Sequence, residues 1–305
     1  MDVLADVLTV TQLASAVLGC SKLISPWALE VSPDFHASVH VIIRGTLWLQ
    51  IEDRDPIHVS TGDVLLIGAG VRHCLLEDRA YKPLPYRQVL DEMERRLTDV
   101  GEGPADIAAE ILCAKYRFEH RERHPLVSRL PSFIHLRATD VALNPQLQLL
   151  SQLLHIEASQ GGAGSDLVVP RLVDSLLVFI IRTWIELRPE GSIQSWFSAL
   201  RDPGIRRALQ LIHESPDAPW TVESLAQGAS QSRASFARKF AALVGETPAA
   251  YLTRWRMCLA ARALRDGQKS VEAIAGEVGY DSAAAFSKAF KRHYDQPPGK
   301  FRTAS

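Results

Sequence analysis

Two hydrophobic periodicities divide the 305-residue chain. Between residues 31 and 80, short apolar runs alternate with the turn signals RG, DRD, TGD and GAGVR. Runs of this kind predict strands; they cover residues 37–43, 46–52, 56–60, 63–68 and 73–78. Closely spaced strands without intervening helices indicate an antiparallel β-barrel or jelly roll. The later part of the chain follows helical spacing instead, so the predicted fold class is α+β.

An internal repeat marks the carboxyl-terminal part. SRASFARKF (232–240) and SAAAFSKAF (282–290) share a Ser, two Phe and a basic residue at a constant offset. The same offset relates Pro248 to Pro298 and Tyr251 to Phe301. Two copies are too few for a solenoid. We interpret them as a duplicated functional unit.

Each copy predicts two short helices joined by a tight turn. The first helices lie in TVESLAQGA (221–229) and SVEAIAGEVGY (270–280), each behind a Thr or Ser cap. On the second helix, Phe236 and Phe240 are four residues apart and point inward, while Arg238 points outward. A core-anchored helix with a small, basic outer face is typical of a helix–turn–helix that enters a DNA major groove.

The outer faces supply the candidate DNA contacts. Arg238 can donate two hydrogen bonds to guanine, worth about 1–3 kcal/mol of discrimination, whereas Lys288 is a point charge. We therefore expect the first copy to read sequence more sharply. Arg233, Lys239, Lys291 and Arg292 are placed for phosphates. The predicted contacts are Ser232, Arg233, Ala234, Ser235, Arg238 and Lys239 in the first copy and Ala283, Ala284, Ser287, Lys288, Lys291 and Arg292 in the second.

A predicted helix at 248–266 joins the copies. Nineteen helical residues span about 28 Å, close to the ~34 Å of one DNA turn, so two reading helices could enter successive grooves. Residues 201–305 hold 16 Lys and Arg against 10 Asp and Glu, a net +6, whereas residues 1–200 have −7. The alternative is a helical bundle whose basic residues are only solvated.

The stretch IAGEVGYDSAAAFSKAFKRHYDQPPGKFR (274–302) resembles the AraC/XylS family of bacterial transcription regulators. The resemblance implies seven helices in two helix–turn–helix units, binding to double-stranded promoter DNA, contact with RNA polymerase, activation or repression of transcription, and a homodimer. The run Ala283–Ala285 departs from the family, many of whose members place polar base-reading residues there.

GDVLLIGAGVRHCLLE (62–77) resembles the second cupin motif, which implies a regulatory, effector-binding domain. Cupin metal enzymes usually take His-x-His and Glu from a first motif. Here His36 and His40 lack that spacing, so we expect no enzyme. A cupin metalloenzyme fused to a DNA-binding domain is the alternative. A DNA-repair protein would need a Pro-Cys-His motif, which none of the four cysteines provides.

Four dispersed residues form a further hypothesis: Cys20, His40, His73 and Cys113. Thiolates and imidazoles bind zinc or other transition metals, and cysteines respond to oxidants. The alternatives are buried, unreactive cysteines and a hydrogen-bonded barrel histidine at position 73.

The predicted domains are a cupin-like sensor at 1–140, a helical linker and candidate dimerisation region at 141–200, and the DNA-binding domain at 201–305. Residues 81–108 are expected to be a charged surface insertion. The apolar stretch 167–187 is interrupted by four charged residues, which favours a buried or dimer-facing helix over a membrane span. The amino terminus lacks the basic residues of a signal peptide, so we expect a cytoplasmic protein.

Overall fold

A computed structural model describes residues 13–33, 36–100, 106–118, 131–187 and 196–303, together with Val3, Asp6 and Val7. It divides into two compact units. One holds the described residues of Leu13–Glu119 and Leu130–Arg188, and the other those of Pro189–Ser305 with the three amino-terminal residues. Residues 188–195 of the predicted linker region 141–200 lie outside the described residues.

The first unit contains ten described strands in two five-stranded sheets. In the first sheet the order is β1-β9-β3-β6-β10, and in the second it is β5-β4-β7-β2-β8. All pairs are antiparallel except β2 with β8. The strands are β1 (Leu13–Ile24), β2 (Ala28–Val31), β3 (His36–Arg44), β4 (Thr46–Ile51), β5 (Ile57–Ser60), β6 (Val64–Ile67), β7 (His73–Leu76), β8 (Leu84–Pro85), β9 (Ile107–Phe118) and β10 (Phe133–Leu136).

The core lies between the sheets, because alternate residues of each strand face inward. Leu23, Ile42, Leu65 and Ile111 from the first sheet pack there with Leu49 from the second. The expectation of a β-rich amino-terminal region is confirmed. The closed barrel is not, since each sheet of the described chain ends in a strand paired on one side only.

Helices cover parts of this unit. The expectation of a surface insertion at 81–108 is wrong for helix α1 (Tyr86–Val100), because Val89 and Met93 on this helix are buried in the core. Helices α3 (Pro145–Gln160) and α4 (Ser165–Glu186) lie within the predicted helical linker at 141–200, and they belong to the same compact unit as the sheets. The helices are α1 (Tyr86–Val100), α2 (Ala138–Ala142), α3 (Pro145–Gln160) and α4 (Ser165–Glu186). No helix among the described residues is long and apolar enough to cross a membrane.

The second unit is helical throughout its described residues. Side-chain oxygens of Asp202, Thr221, Ser232, Thr247, Ser270 and Ser282 cap six of its helices by accepting a hydrogen bond from a backbone N–H. The helices are α5 (Trp196–Arg201), α6 (Pro203–Glu214), α7 (Val222–Gly228), α8 (Arg233–Val244), α9 (Pro248–Asp266), α10 (Val271–Glu277), α11 (Ala283–Tyr294) and α12 (Pro298–Thr303).

The two copies of the sequence repeat pack their aromatic rings in the same geometry. The rings of Phe236 and Phe240 on α8 lie 5.6 Å apart at 58°, and those of Phe286 and Phe290 on α11 lie 5.5 Å apart at 53°. Each pair then meets a ring of the next helix edge-on, Phe240 against Tyr251 and Phe290 against Phe301. All six rings are at most 2 % exposed. The repeated aromatic residues thus build the same core twice.

Helix α9 fastens the two helix pairs together. Its residue Arg256 donates hydrogen bonds to the carbonyl oxygens of Pro216, Asp217 and Ala218, which precede the first pair. The same guanidinium donates to the carbonyl of Gly279, in the turn of the second pair, at 3.2 Å. One cation therefore ties segments more than sixty residues apart in the chain.

Candidate nucleic-acid interface and sensor cluster

The outer face of α8 carries the residues predicted to read DNA in the first copy. Ser232 caps the helix by accepting a hydrogen bond from the N–H of Ser235, and Ser235 is half-buried. Arg233, Ala234 and Arg238 are exposed, opposite the buried Phe236 and Phe240. Because small side chains surround Arg238, its guanidinium can approach base edges closely.

Helix α11 presents the corresponding face of the second copy. Ala284 and Lys288 are exposed, and Ala283 and Ser287 are half-buried. Lys291 and Arg292 are exposed in the last turn of the helix. Because this face offers methyl groups where the first copy offers Ser and Arg, it has fewer groups able to hydrogen-bond to bases.

Lys239 has a protein partner as well as an exposed position. Its ammonium forms an ion pair with Asp202, the capping residue of α6. Burial raises the pKa of Asp202, but hydrogen bonds from Lys239 and from the N–H of Ile205 outweigh it and hold the pKa below its ordinary value. Sequence spacing could not reveal this pair, whose members are 37 positions apart.

Three of the four predicted sensor residues meet between the sheets. His40 Nδ1 lies 3.2 Å from Cys113 Sγ, and His40 Nε2 lies 2.9 Å from His73 Nε2. Burial lowers the pKa of His40, and the nearby charges of His73 and Lys115 lower it further. The two imidazoles are at most 3 % exposed. The three side chains form a hydrogen-bonded chain through His40, whose two ring nitrogens face different partners.

Cys20 lies on the opposite face of the same sheet. It is paired with Leu112, whereas His40 is paired with Cys113, and successive residues of a strand face opposite sides. Its thiol donates to Glu110 Oε1 at 3.3 Å. The structure therefore separates Cys20 from the other three predicted residues.

Burial raises the pKa of the cysteine thiols on both faces of this sheet. It raises the pKa of Cys113 to about 12, assisted by the nearby Cys20. It raises the pKa of Cys20 to about 12 as well, with the hydrogen bond to Glu110 adding to the shift. Cys74 is shifted in the same direction, also by burial. The reactive form of cysteine is the thiolate, so these groups are weak nucleophiles as they stand.

A cavity of about 580 Å³ lies beneath α1. Trp27, Val89 and Met93 form its apolar part, and three cations line it against one carboxylate, that of Glu92, which is ion-paired with Arg95. A cavity of this size is within the range that holds small molecules. The sequence does not predict this cavity, because the charged pattern of residues 81–108 indicates a surface insertion.

Comparisons with known proteins fit this arrangement. Residues 2–186 match the sequence profile of a family described as Cupin, and residues 225–304 match one described as Helix-turn-helix domain. A protein of Streptomyces lividans named as an AraC-like transcription regulator is 32 % identical over 99 % of this chain and 98 % of its own. The chain belongs to the AraC-like family of transcription regulators.

Another curated relative and one solved structure are similar to this chain. The HTH-type transcriptional regulator AlkR of Acinetobacter baylyi is 31 % identical over 92 % of both chains. The crystal structure of the DNA-binding domain of AdpA, in complex with a target DNA, covers 34 % of this chain and 92 % of its own, with 31 % identity and a TM-score of 0.32. This AraC-like chain is a DNA-binding transcription regulator and not an enzyme.

Proposed function

We propose that both helix pairs of this regulator read promoter DNA, with α8 and α11 in successive major grooves of one duplex. The observation that carries the proposal is the duplicated aromatic scaffold, which presents an exposed cationic face in each copy, Arg238 in one and Lys288 in the other. Helix α9 joins the copies, and its nineteen residues span about 28 Å, close to the ~34 Å between successive major grooves. Such a protein acts in the cytoplasm, where family analogy adds contact with RNA polymerase.

Changing the spacing of the binding site tests this proposal. A site for the full-length protein is first selected from random duplexes. We expect two half-sites about 10 base pairs apart. Inserting about five base pairs between them turns the second half-site to the other side of the duplex, so affinity falls to that of one half-site. The same insertion outside the site is the control. If the internal insertion leaves the affinity for DNA unchanged, the two-groove proposal is wrong.

The proposed homodimer uses α3. Leu149, Leu153 and Ile156 follow one another at helical spacing and are 64 %, 43 % and 49 % exposed. An apolar stripe of this kind favours burial against another surface, and we assign it to a second copy of the chain. Leu149→Glu together with Leu153→Glu should convert the dimer to a monomer in sedimentation, whereas Leu84→Glu, at an exposed leucine elsewhere, should not. An unchanged mass contradicts this assignment.

The signal is proposed to act between the sheets, at His40, His73 and Cys113. A buried polar chain in an apolar core is costly unless fully satisfied, so a metal or ligand that breaks the His40–His73 contact changes the local packing. Because burial raises the pKa of Cys113 and keeps its thiol protonated, direct oxidation through the thiolate is disfavoured. Cys113→Ser should alter the induced response of a reporter, with Cys74→Ser as the matched control. An unaltered response removes Cys113 from the sensor.

The cavity beneath α1 favours a small-molecule effector as a second candidate. Its apolar floor and positive rim suit an amphipathic anion. Met93→Trp, which fills the cavity, should abolish induction without weakening DNA binding. Induction that survives the filled cavity excludes this site.

A further inference from the structure

Cys20, Glu110 and His155 converge where helix α3 meets the outer face of the first sheet. Cys20 comes from β1, Glu110 from β9 and His155 from α3. Glu110 Oε1 lies 3.3 Å from Cys20 Sγ and 3.1 Å from His155 Nε2. One ligand atom from each residue lies within 4.8 Å of the other two, and no other three His, Cys, Asp or Glu residues in the described part of the chain do so.

The chemistry of this set suits a borderline divalent cation. Thiolate sulfur, imidazole nitrogen and carboxylate oxygen are the ligands of zinc, bound at about 2.3, 2.0 and 2.1 Å. A tetrahedron with those bond lengths separates its ligand atoms by about 3.4–3.6 Å. The two separations that involve Glu110 are a few tenths of an ångström shorter, and the ligand atoms of Cys20 and His155 lie within 4.8 Å of each other, so shifts of about an ångström bring all three to bonding distance of an ion.

The three side chains are half-buried. The side chains of His155 and Glu110 are 30 % and 14 % exposed, so an ion can enter from solvent and keep a water as its fourth ligand. On binding, Cys20 releases its thiol proton to water, and His155 offers the lone pair of Nε2 with its proton on Nδ1. The ion then replaces the two hydrogen bonds through Glu110.

We propose that Cys20, Glu110 and His155 form a zinc-type metal site that fastens α3 to strands β1 and β9. On α3, His155 lies at the boundary of two faces. One is the buried face, which includes Leu147 and Leu154, and the other is the exposed stripe, which includes Ile156. Metal binding therefore fixes the rotation of the helix that carries this stripe. The site itself does not depend on the proposed dimer, and it is distinct from the chain formed by His40, His73 and Cys113.

Metal titration of the full-length protein tests the site. We expect the wild type to bind one equivalent of zinc, and cobalt(II) in its place to give a thiolate charge-transfer band. Cys20→Ser, Glu110→Gln and His155→Gln should each weaken zinc binding at least about tenfold, and Cys20→Ser should abolish the band. Cys74→Ser, outside both clusters, is the matched control and should keep both signals.

Hydrogen exchange supplies a second readout. Zinc should slow exchange of the α3 amides around residue 155 in the wild type and leave them unchanged in Cys20→Ser. Circular dichroism and thermal unfolding of each metal-free variant verify its fold, and neither readout depends on DNA binding, which keeps this test separate from the proposed function. The proposal is overturned if the wild type binds no zinc, or if binding survives in Cys20→Ser and His155→Gln but is lost in His40→Gln or Cys113→Ser.

Discussion

The two helix pairs of the DNA-binding unit differ where they face outward and agree where they face inward. Their ring geometries match within 0.1 Å and 5° for the Phe pairs of α8 and α11. On the outer faces, by contrast, Arg238 stands opposite Lys288 in the alignment, and Ser235 opposite Ala285. The difference teaches that the duplicated part is the scaffold. The exposed residues of the outer faces can differ between the copies because they do not form the shared aromatic core.

The largest expected effect removes the shared scaffold. Phe236→Ala and Phe286→Ala each delete a fully buried ring, which typically costs about 3–5 kcal/mol of the free energy of unfolding. Because the two environments match, the two losses should be similar in denaturant unfolding. Tyr81→Ala, at an exposed ring, is the control. A loss below about 1 kcal/mol for either Phe variant contradicts the equivalence of the two cores.

The two turns give a sharper comparison. Ser230 and Gly279 occupy equivalent positions with φ of 55° and 78°, and each N–H bonds to the carbonyl three residues earlier. A side chain on Gly279 meets the Asp217 carbonyl at 2.6 Å and the guanidinium of Arg256 at 2.5 Å. Gly279→Ser should therefore destabilise by about 1–3 kcal/mol, whereas Ser230→Gly should change stability by less than about 1 kcal/mol. Equal effects in thermal unfolding contradict this reading of the turns.

Low pH should reduce the stability of the first half of the DNA-binding unit more than that of the second half. His213 bonds to Tyr251 at 2.8 Å and stacks on Trp255, while the second copy has Phe301 at the position of Tyr251. Burial lowers the pKa of His213 from 6.5 to about 3, even though Asp6 lies 3.3 Å from its other nitrogen. Between pH 6.5 and 3 only the unfolded state binds this proton, so stability falls as pH falls. His213→Gln should flatten that dependence in melting curves; an unchanged slope contradicts the assignment.

The smallest effect separates two lysines predicted to touch phosphates. Lys239 is paired with Asp202, whereas Lys291 is exposed. Lys291→Ala should reduce the salt dependence of DNA binding by about one counterion. Lys239→Ala should reduce it less and should cost at most about 1 kcal/mol of stability, the range for surface ion pairs. If Lys239→Ala reduces the salt dependence of DNA binding more than Lys291→Ala does, Lys239 leaves Asp202 to bind DNA.

Local patterns predicted most of the elements, because strands β3–β7 and helices α7–α11 are marked by alternation, caps and the repeat. Contacts between distant segments were not predictable in the same way. Cys20 was grouped with His40, His73 and Cys113 by residue type, but strand register decides which face each residue occupies. Glu110 and His155 carry no motif and meet Cys20 only through the pairing of β1 with β9 and the packing of α3. Helix α1 was missed because its charged residues resemble those of a solvated loop.

We expect the first copy to contribute more sequence specificity to DNA binding than the second. The most direct test compares Arg238→Ala with Lys288→Ala on a selected site and on an unrelated duplex. Arg238→Ala should weaken binding to the selected site by about 1–3 kcal/mol and change binding to the unrelated duplex far less. Lys288→Ala should weaken both by similar amounts, as expected for a point charge. If Arg238→Ala weakens both duplexes equally, the outer face of α8 does not read the bases.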